Sequence, residues 1–378
     1  GRHPYRYGIF HANVGHIRKE EITLAEALKT QRYTTGHFGK WHLGTLTPDF
    51  SGKGAGRKPK QNYMTPAMSG FDEWFSTEYA VATWDPYDPA NRHGKKFDVR
   101  ALYWHNGRNV TEPLKGDDSR IIMDRAVPFI RKAAKNDEPF LAVIWFHAPH
   151  APVVGGPEHR RMYSQYSEDE QHYYACITAL DEQMGRLRKE LREIGIAENT
   201  MVWFCSDNGP EGKTGRQGRY RGSAGPFRGR KRSLFEGGVR VPGLLEWPAR
   251  IKAPRTTDIP AGTLDYFPTV LDALGFRFKG KPEPSDGTSL IGLIEGKMTK
   301  RPVPIAFESG GQVCLTDNRY KIYSKNKGKT YMLFDLIEDP AETKDLAAEK
   351  PQILKAMRKT LEEWRASCKD SLAGKDYK

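Results

Sequence analysis

Lys40 and His42 lie two residues apart in GHFGKWHLG, Gly36 to Gly44, a stretch bounded and interrupted by glycine. Alternate side chains of an extended segment leave the same side, so a fixed cation and a titratable proton carrier would face one small volume. That pairing suits an anionic substrate. A second constellation is HAPHAP, His147 to Pro152. Its His150, between two prolines, is held on a stiff segment suited to a positioned donor or general acid. His147, nearer the preceding apolar run, reads as the structural histidine of the pair. A third is Asp207-Asn208-Gly209. A carboxylate beside an amide oxygen is hard-oxygen chemistry for Ca²⁺ or Mg²⁺, but Ca²⁺ takes about six to eight oxygens, so these two residues supply part of a shell. D-N-G is also a common turn sequence. The fourth is Lys231, which opens KRSLFEGGVRVP at the end of a basic loop. From Gly212 to Arg232 there are eight Lys or Arg residues and no acid. Alone, that loop reads as a solvated charge run or a nucleic-acid segment. The structured string that follows is unlike a disordered tail. Two lysines and a histidine around a divalent cation describe a pocket for a tetrahedral anion.

The elements that would position these groups alternate between helix and strand. A length of 378 residues suggests roughly two domains, and an aromatic fraction of 11% argues against general disorder. No apolar run approaches the roughly 18 residues that cross a bilayer. Net charge is +13, which favours nucleic acid, an acidic lipid surface or a sulfated or carboxylated glycan without choosing among them. Cys176, Cys205, Cys314 and Cys368 form no C-x-x-C pair and read as mostly buried, reduced thiols.

Thr23 to Glu26 is a capping box opening a short helix, followed by a strand at 33–38. Residues 45–118 read mostly as long surface loops, with a hairpin at Asn106-Gly107. A helix capped by Asp118 or Ser119 is expected to run through Lys135, kinked at Pro128, then a fully buried central strand at 139–147. A long helix capped by Ser167 runs to about Ile194, with Leu180, Met184, Leu187 and Leu191 as its core stripe. Further strands are expected at 199–206 and 239–247, and a helix at 263–274. An antiparallel meander at 312–336 then precedes a closing helix at 351–368. The polar constellations follow strands, where open α/β sheets place their sites. The fold class is α/β, with a boundary near residue 300 dividing 1–300 from 301–378.

GKWHLG, FHAPHAP, SDNG and K-x-S-L-F-E-G-G-V-R-V-P, in that order, resemble the type I sulfatases of the alkaline-phosphatase-like superfamily. GFDEWF at 70–75 and LFDLIEDPAETKDLA at 333–347 extend the resemblance over essentially the whole chain. It implies an alkaline-phosphatase-like mixed sheet sandwiched by helices, plus a small C-terminal antiparallel sheet with a covering helix. It also implies hydrolysis of a sulfated carbohydrate or aryl sulfate, with no nucleic-acid partner, in a periplasmic, secreted or lysosome-like setting. The cofactors implied are Ca²⁺, with Mg²⁺ an alternative, and a formylglycine made from Cys or Ser in C/S-x-P-x-R.

By position, Lys40 resembles the lysine bridging sulfate and formylglycine hydrate, and His42 the base that takes a proton from the hydrate. His150 resembles the histidine that contacts sulfate and protonates the departing alcohol. Lys231 resembles the second sulfate-binding lysine, and Asp207 with Asn208 half of the metal shell. The chain departs from the pattern at Arg2-His3-Pro4-Tyr5-Arg6, where Arg2 stands in the place of the Cys or Ser, and no other C/S-x-P-x-R occurs. The sequence is therefore read as an N-terminally truncated sulfatase with no nucleophile in this chain, its Cys or Ser lying upstream of residue 1. The alternatives are a phosphatase or phosphonate ester hydrolase of the same superfamily, and a non-catalytic polyanion-binding remnant. Residues 1–378 alone are expected to bind cation weakly and to release no sulfate; an ion-chromatography assay detecting sulfate release from them would refute this.

Overall fold

The computed structural model describes residues 1–377 apart from 13, 53–56, 93–96, 213–218 and 279–282. Part of the basic loop, 213–218, thus lies outside the described residues. The chain divides into two compact units. Ala12–Glu198 with Thr214–Gly222 make one; Gly1–His11, Asn199–Lys213 and Ser223–Lys378 make the other.

The Ala12–Glu198 unit is built on a mixed sheet of five strands, β1 (Thr34–Lys40), β2 (Glu73–Thr77), β3 (Tyr103–His105), β4 (Arg108–Asn109) and β5 (Phe140–Trp145). Their order is β4-β3-β2-β1-β5, with β1 parallel to both β2 and β5 and a β3–β4 hairpin at the far side. The expected capping box forms: Thr23 Oγ1 accepts from Glu26 N and the Glu26 carboxylate accepts from Thr23 N at 2.8 Å. It starts the helix Leu24–Lys29. Asp117, one residue before the expected Asp118 or Ser119, caps the helix Asp118–Lys135 by accepting from Arg120 N at 2.9 Å. That helix buries Ile122, Met123, Val127 and Ile130 and packs on β1 and β5. Behind it runs Glu168–Glu193, whose buried stripe is His172, Ala175, Ala179, Gln183, Leu187 and Leu191. Leu180 and Met184, expected in the core, are half-buried because the buried face is centred one residue earlier.

Two other expectations are corrected. Residues 45–118 are not mostly surface loop. They contain β2, and Leu46, Met64, Phe71 and Trp74 join Ala25 and Trp41 in one apolar cluster. EWFST is too short for a clear period and is hidden among glycines and prolines. Nor is β5 central and fully buried. Among the described residues it pairs with β1 alone, its residues are half-buried and Trp145 is 42% exposed. Apolarity on both faces says what a strand's faces can bury, not which of its hydrogen-bonding edges are filled.

In the other unit, β6 (Val202–Cys205) and β7 (Gly243–Glu246) form an antiparallel ribbon. β6 is half-buried, not fully buried as expected. Val239 ends a helical turn, Glu236–Val239, and does not start a strand. Gly237 N and Gly238 N donate to Arg228 O and Phe235 O, which folds the chain back there. β8 (Ile305–Ser309), β9 (Gln312–Thr316), β10 (Tyr320–Ser324) and β11 (Met332–Asp335) form an antiparallel sheet in reverse order. The helix Pro351–Leu372 covers it, with Met357 and Leu361 packed among Val313, Leu315, Ile322 and Leu333. The four cysteines are free thiols, three of them buried. Arg6 is also buried; it grips Asp286 through two nitrogens and donates to Ser367 and Ser371.

Lys321 has no exposed side-chain surface, and its Nζ lies 2.8 Å from Glu236 and 3.0 Å from Glu342. Burial pushes the Glu342 carboxyl above the usual carboxylate range, and Lys321 opposes that shift. Removing one member leaves buried charge uncompensated, so Lys321→Met should cost about 3–5 kcal/mol, read as a lower urea midpoint. Adding Glu236→Gln and Glu342→Gln should restore part of the loss. A single-variant loss below about 1 kcal/mol would contradict the ion-pair account.

Candidate active site

In the Ala12–Glu198 unit the first site residues stand at the ends of parallel strands. β1 runs further than expected, so Lys40 is its last residue, in register with Thr77 of β2. Gly39 makes this possible. Its φ is +106°, and a Cβ there would lie 2.0 Å from the Trp145 carbonyl oxygen, so β1 can pass β5 this closely only with glycine. The chain then stays on the continuation of β2, as Trp41 N donates to Thr77 O and His42 N to Glu78 O. His42 takes a φ of +54°, so the simple alternation expected between Lys40 and His42 is broken at the histidine. Trp41 is buried and donates from Nε1 to Met64 O at 2.7 Å. His37 of the same motif lies inside the sheet, 2.7 Å from Ser76 Oγ, and burial holds its pKa down to about 3.

His147 and His150 leave the end of β5. His147 is fully buried, with Nδ1 2.6 Å from Asp118 Oδ2 and Nε2 2.8 Å from Thr77 Oγ1. The Thr77 hydroxyl has one hydrogen and also meets the Tyr79 carbonyl at 2.7 Å, which can only accept. His147 Nε2 therefore donates to Thr77, and one proton is shared between His147 Nδ1 and Asp118. Tyr103 OH donates to the other Asp118 oxygen at 2.5 Å. His147 is thus a structural anchor, and its carbonyl accepts from His150 N at 2.7 Å. His150 Nδ1 lies 2.7 Å from the Ala151 carbonyl, which fixes a proton on Nδ1 and makes Nε2 the nitrogen that exchanges one. Lys40, His42 and His150 accordingly share the C-terminal edge of the β1, β2 and β5 strands.

In the second unit Asp207 and Asn208 follow β6, and Lys231 is placed beside their turn. Gly209 N donates to Gly238 O at 2.9 Å, and a Cβ on Gly209 would stand 1.9 Å from Gly237 O. Lys231 N donates to Pro210 O at 3.1 Å. The 207–210 turn and the LFEGG turn therefore meet backbone to backbone, so Asp207, Asn208 and Lys231 belong to one cluster. Glu211, which the sequence did not mark, lies 3.5 Å from Lys231 and 2.6 Å from Arg232; the bond to Arg232 holds its carboxyl down to about 2.

Asp207 is exposed, and Asn208 turns Nδ2 to the Gly209 carbonyl, which leaves Oδ1 as its ligand-type atom. These oxygens fit a hard cation in chemistry but not in number. Among the described residues no group of three or more His, Cys, Asp or Glu could hold a metal. Where it is described, the basic loop is tethered, although Arg228 and Arg232 stay exposed. Arg228 donates to Glu342 O and lies 4.0 Å over Phe235, and Arg230 donates to Glu211 O. In the Ala12–Glu198 unit, Arg219 donates to Val153 O and Arg221 pairs with Asp169.

A family model described as Sulfatase matches residues 1–276. The chain belongs to the sulfatase family. A model described as N-sulphoglucosamine sulphohydrolase, C-terminal, matches 225–367. The chain is 31% identical over 323 residues to N-acetylgalactosamine-6-sulfatase of Sus scrofa, covering 80% of this chain and 56% of that protein. It is 27% identical over 380 residues to an ulvan-active sulfatase of Formosa agariphila, covering 93% and 66%. The chain spans 56–60% of the length of the first two curated relatives it matches. Ps i-CgsB, solved in complex with k-i-k-neocarrahexaose, matches with a TM-score of 0.79 and 25% identity over 97% of this chain and 80% of that one. A structure in complex with its substrate D-glucosamine-2-N,6-O-disulfate shares the fold at a TM-score of 0.70 and 19% identity, covering 97% and 88%.

The buried His37 gives the protein a pH-dependent stability of definite sign. Unfolded, the imidazole titrates near 6.5; folded, it titrates at about 3. Between those values the unfolded chain binds a proton that the folded one refuses, so His37 removes about 1.4 kcal/mol of stability per pH unit as pH falls below 6.5. Urea midpoints between pH 7.5 and 4.5 should show the decline, and His37→Gln should flatten it. An unchanged slope in that variant would refute the assignment.

Proposed function

We propose that the protein hydrolyses sulfate esters of a sulfated glycan. The observation that carries this reading is the gathering of Lys40, His42 and His150 at one strand-end edge in a chain of the sulfatase family. In this reading Lys40 and Lys231 neutralise charge on the sulfate oxygens. His42 accepts a proton as sulfate is released, and His150, its Nδ1 proton held on Ala151 O, protonates the departing alcohol through Nε2. Asp207 and Asn208 would hold part of the shell of a Ca²⁺ ion, with Mg²⁺ the alternative. When bound, the cation supplies positive charge beside the sulfate, and a formylglycine made from Cys or Ser supplies the nucleophile. The glycan class is supported by the names of the relatives, an N-acetylgalactosamine-6-sulfatase and an ulvan-active sulfatase. The +13 net charge is in keeping with it.

A periplasmic, secreted or lysosome-like setting belongs to the same proposal. Among the described residues no helix is long and apolar enough to cross a membrane. Residues 1–300 would be the catalytic part and 301–378 a C-terminal subdomain, a division supported by the antiparallel sheet that begins at Ile305.

The test is sulfate release by the full-length protein from sulfated oligosaccharides and aryl sulfate, with aryl phosphate and phosphonate esters alongside. Lys40→Ala, His42→Ala, His150→Ala and Lys231→Ala should each lower kcat/KM by about 10²- to 10⁴-fold, with urea midpoints little changed. Asp207→Asn should weaken Ca²⁺ dependence. Faster turnover of the phosphorus esters than of every sulfate ester would overturn the proposal.

A further inference from the structure

The turn that carries His42 is held on both sides of the His42 Cα, through its N–H and its carbonyl, by residues outside every motif named above. His42 N donates to the Glu78 carbonyl at 3.0 Å, and the His42 carbonyl accepts from Arg57 Nη2 at 2.6 Å. The two holders are tied to each other and to their surroundings. Arg57 Nη1 lies 3.7 Å from the Glu78 carboxylate, and Arg57 Nε donates to Gly15 O at 3.2 Å. The same carboxylate accepts from Ser51 Oγ at 2.7 Å and from Gly52 N at 3.1 Å. Arg57 is 2% exposed and Glu78 4% exposed.

A buried guanidinium is expensive to desolvate, and Arg57 offsets that through its Nη2 and Nε bonds and the nearby Glu78 carboxylate, while Nη1 makes no hydrogen bond among the described residues. Here one of those donors is directed at the backbone of a residue whose φ is +54°, a conformation that L-residues rarely keep unless the surroundings impose it. A change of a few tens of degrees at that residue would swing the imidazole away from the strand-end edge.

We propose that Arg57, fixed by Glu78, is a positioning residue for His42: it holds the His42 carbonyl, and so the direction of the imidazole, without touching the substrate. The proposal rests on the reading that His42 moves a proton in sulfate-ester hydrolysis. Arg57 then contributes to kcat and not to binding. Its loss is a misplacement of a proton-transfer group, for which a fall of about 10²-fold is the expected scale.

The experiment is a double-mutant cycle on the full-length protein with an aryl sulfate as probe. Arg57→Ala should lower kcat about 100-fold with KM within about three-fold. Guanidinium chloride at millimolar levels should restore at least ten-fold of that loss, whereas sodium chloride at equal ionic strength should not. In a His42→Ala background, Arg57→Ala should change the residual rate by less than about three-fold. Should Arg57→Ala fail to fold, Glu78→Gln serves instead: it keeps the carbonyl that holds His42 N, loosens Arg57, and should lower kcat about ten-fold with the same dependence on His42. An undiminished effect in the His42→Ala background, or a rise in KM alone, refutes the positioning role while leaving the proton role of His42 intact. A normal kcat in His42→Ala itself refutes that proton role, and the positioning role falls with it.

Discussion

Lys321 sets the fold around the Lys231 cluster, because its ammonium can stay charged inside the protein only against Glu236 and Glu342. Each of the three comes from a different element. Lys321 is on β10, Glu236 in the LFEGG turn, and Glu342 in the acidic segment after β11. Their meeting pins that turn to the sheet, and Glu342 reinforces it by accepting from Glu236 N at 2.6 Å and, through its carbonyl, from Arg228. The turn in turn packs on Gly209, so the location of Asp207 and Asn208 follows from an ion-pair cluster whose other members, Lys321 and Glu342, lie far along the chain from either. Such a cluster is not favoured for net energy, since apolar groups of similar volume often do as well. What it supplies is a single register, because any slip leaves at least one buried carboxylate without its ammonium.

The Ala12–Glu198 unit uses the same device at the strand ends. Asp118 is fully buried, yet it accepts from Tyr103 and shares a proton with His147. It also sits in the first turn of the helix Asp118–Lys135, where the N-terminal partial positive charge favours a carboxylate. Because His147 spans from Asp118 to Thr77, the exit of β5 is bolted to the exit of β2. His150 begins from that bolt through the His147 carbonyl, so its backbone is placed by a residue that does no chemistry of its own.

What was legible in the sequence was local. The Thr23 capping box, the Ser167–Glu170 helix start, the helix at 118–135 with its cap one residue earlier than read, the hairpin at Asn106-Gly107 and the C-terminal meander all use signals within a few residues of each other. The strand exits that carry Lys40, His147 and Asp207 were readable for the same reason. β2 was missed because five residues among turn formers show no period, and the placement of β5 failed because side-chain polarity does not report which hydrogen-bonding edge is filled. The partners of the site were illegible for a different reason. Lys321 is 85 residues from Glu236, and Arg57 is 15 from His42; only the folded chain states which charge meets which.

KRSLFEGGVRVP shows how few residues of such a string are available for chemistry. Leu234 is buried, Phe235 lies 4.0 Å from the Tyr323 ring, Glu236 faces Lys321, and the two glycines make room for Gly209 and for their own bonds to Arg228 and Phe235. Arg232 meets Glu211. Most of the string is therefore a folding instruction, with Lys231 its one charged group assigned to chemistry. The same holds for the arginines before it. Arg228 and Arg230 direct donors at carbonyls of their own unit, although Arg228 stays exposed, and Arg219 and Arg221 are engaged in theirs. In the proposed function, recognition of a single sulfate group rests on a few cations fixed at strand and turn ends.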